Sequence, residues 1–144
     1  MELKMDKDAL ADFLKEAFPQ VAEDFAVDAI TEDGLLVRLV TAERHLRPGG
    51  TVSGPSMFAL ADVAVYLAIL ARLGPVALAV TTNCSIDFMR KPAAGVDLVA
   101  EARLLKLGRA LAVGDVLIRS DGGTAPVARA TLTYSIPPVN HGVK

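Results

Sequence analysis

Asp62 stands in the middle of an apolar stretch, with Ala59, Leu60, Val63, Val65 and Tyr66 as its neighbours. A carboxylate in such company is costly to bury unless it is paired or hydrogen-bonded. Two readings stand level on these grounds. One is a structural side chain that accepts backbone amides of a partner chain; the other is a reactive carboxylate that serves as nucleophile or general base. Gly54 opens the same stretch. If the stretch is a helix, its first amides are free and its dipole favours negative charge. The Gly54 N–H is then placed to polarise a carbonyl oxygen, although a plain loop-to-helix glycine is the simpler reading of that residue alone. Gly54 and Asp62 are eight residues apart, which on one helix is roughly 12 Å. A carboxylate and an oxyanion donor have to approach one carbonyl to within about 3 Å. One chain cannot achieve this, but two chains with their helices antiparallel across a two-fold axis can.

The other polar residues are less telling. Ser53 reads as a helix N-cap, with no histidine placed to activate its hydroxyl. Pro55 suits the first helical position. Thr81 and Asn83 fall on the polar face of a later strand, and Asn83 is the weaker candidate. Arg90, Lys91 and Arg109 lie at strand ends, where they could meet phosphates; solvated turn charges are the commoner explanation. His45 precedes the helix and His141 lies in the tail, and neither is assigned a role. Cys84 reads as core. No Cys/His cluster points to a metal, and no cofactor is expected.

These side chains must be positioned by a short list of elements. Leu10, Phe13, Leu14 and Ala17 recur at helical spacing, with Asp6 as a start signal and Pro19 as a stop, so a short amphipathic helix is expected over about residues 6–18. Residues 25–30 and 35–41 flank the turn Glu32-Asp33-Gly34 and read as a hairpin. From Pro55 to Leu73 nearly every residue is Ala, Leu, Val, Met, Ile, Phe or Tyr, which predicts a helix buried on every side. Leu78, Val80, Cys84, Ile86 and Phe88 then share one parity of a strand over 78–89, so one face of it should be buried. Strands at 96–107, 110–120 and 124–136 follow, the last two joined by Asp121-Gly122-Gly123. The tail, about 137–144, is expected to be disordered. Strands grouped after one wholly apolar helix argue for an α+β fold, with an antiparallel sheet curved around that helix.

The 144 residues fit a single domain spanning 1–144. A hydrophobic content of 52% against 22% charged is apolar for so small a chain. Surplus apolar surface tends to become a subunit interface, so a homo-oligomer is expected. The net charge of −2 and the scattered Lys and Arg weigh against nucleic-acid binding. The uncharged run 63–71 falls far short of the ~20 residues that a membrane span needs. One cysteine excludes an intrachain disulfide and fits a reducing cytoplasm. Two Tyr, five Phe and no Trp weigh against a stacked aromatic pocket.

The segment from Gly50 to Ala64, GTVSGPSMFALADVA, resembles the signature of the phenylacetate-pathway type of hotdog-fold thioesterases, approximately G-x-x-H-G-G-x-x-x-x-L-A-D-x-A. Ile86-Asp87-Phe88-Met89-Arg90-Lys91-Pro92, Leu107-Gly108-Arg109 and Ala128-Arg129-Ala130-Thr131 are also similar to that family, and the resemblance covers roughly residues 20–136. It implies a hotdog fold, an acyl-CoA substrate and a site shared between paired chains, in a dimer or a dimer of dimers. The family's catalytic carboxylate falls on Asp62, and the helix-start amide on Gly54. Thr81 falls on a hydroxyl position that helps hold water in similar enzymes. Ser53 and Pro55 stand where the family has His and a second Gly. With Asn83, Arg90, Lys91 and Arg109 they complete the candidates for contacting substrate. The competing readings are a non-catalytic acyl-CoA binding module, a structural oligomer, and a hotdog dehydratase or hydratase; the last needs a His paired with an acid, and this helix has no His.

Overall fold

The computed structural model describes residues 2–76 and 78–138. His141 and most of the expected tail lie outside the described residues; Pro137 and Pro138 carry no regular structure. The apolar stretch forms one helix, α2 (Gly54–Leu73). It starts at Ser53, whose Oγ accepts the Ser56 N–H at 3.3 Å. It stops at Gly74, whose φ of 91° suits a residue without a side chain. Before it come α1 (Lys7–Ala17) and the strands β1 (Phe25–Ile30) and β2 (Gly34–Leu39). After it come β3 (Val80–Phe88), β4 (Leu98–Leu107), β5 (Leu111–Ser120) and β6 (Pro126–Ser135). Asp6 caps α1 by accepting the Ala9 N–H at 2.9 Å.

The strands form one antiparallel sheet in the order β1-β2-β4-β5-β6-β3. β2 and β3, consecutive in the chain on either side of α2, are four places apart in that order. At about 4.8 Å per strand this is roughly 19 Å, and a helix of this length, about 30 Å, crosses it. The helix settles into the curved sheet because the residues beneath it are small. Ala100, Ala102, Ala112, Ala128 and Ala130 are all buried. At Gly114 a Cβ would come within 2.9 Å of both Val65 methyl groups, so any side chain there would push the helix off the sheet. Arg72 closes the far end of α2. It is buried, and it donates to the carbonyls of Thr31, Glu32 and Gly34 at 2.7, 3.1 and 3.0 Å, tying the β1–β2 turn to the helix.

Two expectations need correction. First, α2 is not covered on every side. Pro55 and Phe58 are exposed, and Ala59, Asp62 and Val63 are only half-buried. Their spacing of three to four residues puts them on one face. The described elements cover that face only in part, and Asp62 lies within it. Helix α2 is also long and apolar enough to cross a membrane, with a mean hydropathy of 1.8 over an 18-residue window; 67% of that window is packed inside the fold, as in a core helix.

Second, β3 buries neither face along its length. It is an edge strand, with Val80 54% and Phe88 51% exposed. A bulge between Thr81 and Asn83 breaks the period-two pattern. Thr81 pairs with Tyr134 and Cys84 with Leu132, so the extra residue moves Thr81 onto the inner row with Cys84 and Ile86 and turns Val80 off it.

Candidate active site

The bulge brings Thr81 to Asp62. The Thr81 hydroxyl donates to Asp62 Oδ1 at 2.5 Å, a length typical of a hydroxyl on a carboxylate. Tyr134, directly opposite Thr81 on β6, donates from its phenol to the same Oδ1 at 2.7 Å; the phenol oxygen is also 3.0 Å from the Asp62 carbonyl. A phenol has one proton to give, and the charged acceptor is the stronger partner. Burial, reinforced by the negative charge of Asp62, pushes the Tyr134 phenol well above its ordinary value, so it stays protonated and remains a donor. Burial and then Asp62 likewise raise the Cys84 thiol, which keeps it neutral and a poor nucleophile.

Asp62 lies where two cavities meet. The first, about 470 Å³, is lined by Leu14, Phe18, Val21, Val63, Tyr66, Ala79, Val80, Thr81 and Tyr134 as well as Asp62. Its walls include a group of rings the composition did not foretell. Tyr66 stacks on Tyr134 at 6.2 Å between centroids, Phe18 meets Tyr66 edge-on at 5.7 Å, and Phe13 stands behind at 6.5 Å. Few aromatics in the chain therefore did not mean few at the site. The second cavity, about 430 Å³, joins Asp62 to Pro55, Ser56, Phe58 and Ala59 on α2, and to Asp24, Arg44 and His45. Here His45 is 6% exposed. Its Nδ1 accepts the Ala42 N–H at 2.9 Å, and its Nε2 is 3.3 Å from Asp24 Oδ2, off the line of a hydrogen bond. Burial alone would raise the Asp24 carboxyl, but Arg44 and His45 outweigh it and hold it below the ordinary carboxylate value. With Nδ1 taken by the Ala42 N–H and Nε2 beside Asp24, the ring does not form a His–acid pair with Asp62.

The remaining sequence candidates are dispersed. Gly54 is the first residue of α2, so its N–H is among those the helix leaves without an internal acceptor. A Cβ on Gly54 would meet the ring of Phe88 at 3.3 Å, so this end of the helix faces the last residue of β3, whereas Asp62 faces its second. Ser53 is the N-cap, as expected. Pro55 reaches the second cavity. Asn83 is exposed and borders neither cavity, which removes it from the group around Asp62. Arg90, Lys91 and Arg109 are exposed and also border neither. Arg90 and Lys91 follow β3 at the Gly54 end, and Arg109 lies in the β4–β5 turn at the Asp62 end. The three cations therefore do not meet within one chain. Sequence reasoning missed Tyr134. The signal was there: it continues the inward row Ala128, Ala130, Leu132 of β6, and a tyrosine on an inward row needs a partner for its hydroxyl.

Residues 49–127 match the model of the thioesterase superfamily. A candidate thioesterase from Silicibacter sp. TM1040 is similar in structure, with 64% sequence identity over 96% of each chain and a TM-score of 0.90. The phenylacetic acid degradation protein PaaI from Thermus thermophilus, as a point mutant, is similar with 29% identity, covering 83% of this chain and 99% of its own, and a TM-score of 0.70. Zebra fish thioesterase superfamily member 2 shares the fold at 20% identity, with 93% of this chain and all of its own covered and a TM-score of 0.81. No curated protein matches the sequence.

Proposed function

The chain belongs to the thioesterase superfamily, has the hotdog fold and resembles the PaaI branch, and from that premise we propose that it hydrolyses the thioester of an acyl- or aryl-coenzyme A. The observation that carries this reading is Asp62, a half-buried carboxylate on a partly exposed helix face between two cavities, with hydroxyl donors on one of its oxygens. In this reading the apolar cavity beside Tyr66 and Tyr134 takes the acyl group. Asp62 acts as general base or as nucleophile. As base, it takes a proton from water as the water oxygen bonds to the thioester carbon; the C–S bond then breaks and the thiolate of coenzyme A leaves, recovering the proton. As nucleophile, its carboxylate oxygen bonds to the thioester carbon and the C–S bond breaks, so the thiolate of coenzyme A leaves and a mixed anhydride remains; water then adds to the anhydride, frees the acid, restores the carboxylate and gives its proton to the thiolate.

The same reading makes the working unit a pair of chains. Asp62 faces the start of β3 and Gly54 faces its end, and β3 is an edge with no partner on its outer side among the described residues. Antiparallel pairing of two such edges sets the start of one strand against the end of the other. It would bring Gly54 of the partner subunit toward Asp62, and Arg90 and Lys91 of the partner subunit toward Arg109, where the phosphates of coenzyme A need cations. It would also cover Phe58 and Val80. The test is release of free coenzyme A from a panel of acyl- and aryl-CoA substrates by wild type and by Asp62→Asn. Turnover by wild type and its loss in the variant support the reading. Binding without turnover in wild type would favour the non-catalytic acyl-CoA module instead.

A further inference from the structure

The two oxygens of Asp62 are not equivalent. Oδ1 accepts from Thr81 at 2.5 Å and from Tyr134 at 2.7 Å. No described group donates to Oδ2. An oxygen holding two donors has its lone pairs occupied and its charge partly neutralised; the other keeps the basicity and is free to move toward a reacting atom. Tyr134 is built to hold this asymmetry. It is 3% exposed, it sits between Thr81 and Ala112 in the backbone register, and its ring stacks on Tyr66. Tyr66 is one turn beyond Asp62 on α2, so the stack and the hydroxyl contact fix the same stretch of helix. The ring of Tyr134 borders the first cavity, but its hydroxyl is turned to the carboxylate, so the hydroxyl acts on the reaction by way of Asp62.

We propose that Tyr134 is a positioning residue: with Thr81 it pins Oδ1 of Asp62 and presents Oδ2 as the oxygen that meets the thioester or its water. The inference rests on the thioesterase reading above and adds to it which oxygen works and what orients it. Its consequence is that removing the Tyr134 hydroxyl leaves a carboxylate that is present, accessible and badly aimed. Binding then survives while turnover falls.

The test is Tyr134→Phe in the full chain, assayed on the best substrate of wild type. The ring and its stacking remain and one hydrogen bond goes, so Tm should fall by no more than about 5 °C. The expected result is a kcat lower by about tenfold with KM within about twofold, the pattern of an interaction needed only in the transition state. Thr81→Val should behave alike, Thr81→Ser should restore most of the rate, and the double variant Tyr134→Phe/Thr81→Val should lose about 10²-fold, as expected for a misplaced catalytic group. A Tyr134→Phe enzyme with kcat within twofold of wild type overturns the inference and leaves the thioesterase reading standing. So does a KM that rises as much as kcat falls. A wild type that turns over no member of the panel overturns the reading, and the inference with it.

Discussion

The two ends of the exposed stripe on α2 are built differently. At Asp62 the helix is held from several sides: Thr81 and Tyr134 on the carboxylate, and Tyr66 stacked behind. At Gly54 there is a capping hydroxyl from Ser53, the exposed ring of Phe88, and open apolar surface at Pro55 and Phe58. The contrast follows from what each group needs. A carboxylate side chain rotates, and has to be fixed by donors to be useful. A helix-start amide is fixed by the helix itself, and needs only to be left uncovered. On the proposed thioesterase reading, each chain carries one finished half of a reaction centre and one bare half, about 12 Å apart along the helix. The outer edge of β3 between them, unpaired among the described residues, leaves room for a second copy to join them.

Substitutions should separate the halves. Asp62→Asn keeps the shape and removes the base or nucleophile, and it should lower kcat by at least ~10²-fold. Gly54→Val acts at the bare end. The nearest atoms to a Cβ there belong to an exposed ring that can swing away, so the fold should hold while approach to the amide is blocked. A loss of about 10- to 10²-fold in kcat is expected, below that for deleting an oxyanion donor outright; a Gly54→Val enzyme as fast as wild type would strip the amide of its role. Ser53→Ala should do least. It removes a cap worth about 1 kcal/mol of stability, read as a small drop in Tm, with kcat nearly unchanged. A large kcat effect there would show that Ser53 contacts substrate.

Much of this was legible in the sequence, for reasons that also mark where legibility ends. Alternating strands after one apolar stretch dictated the sheet and its central helix, and every strand boundary fell within two residues of expectation. Asp62 was legible because a carboxylate is out of place among Leu, Ala and Val. The exposed stripe was not, because the residues left exposed on α2 are as apolar as those packed on the sheet; composition cannot tell Phe58 from Leu60. The role of β3 was misjudged for a local reason. One extra residue at Thr82 reverses the facing of everything before it, and no residue type announces a bulge. Tyr134 is 72 residues from Asp62 in sequence, and only the β3–β6 register brings them together.

The central claim is that a complete site takes Asp62 from one chain and Gly54 from another. It is tested most directly by mixing two defective chains, Asp62→Asn and Gly54→Val, and isolating the heterodimer by orthogonal tags. If sites form across the interface, one site of the heterodimer collects both defects and the other collects none. Activity should then return to about half that of wild type per dimer, while each variant alone stays at its own low rate, as shared-site geometry requires. Proven heterodimers with no recovery would contradict the account, because each site would then be assembled within a single chain.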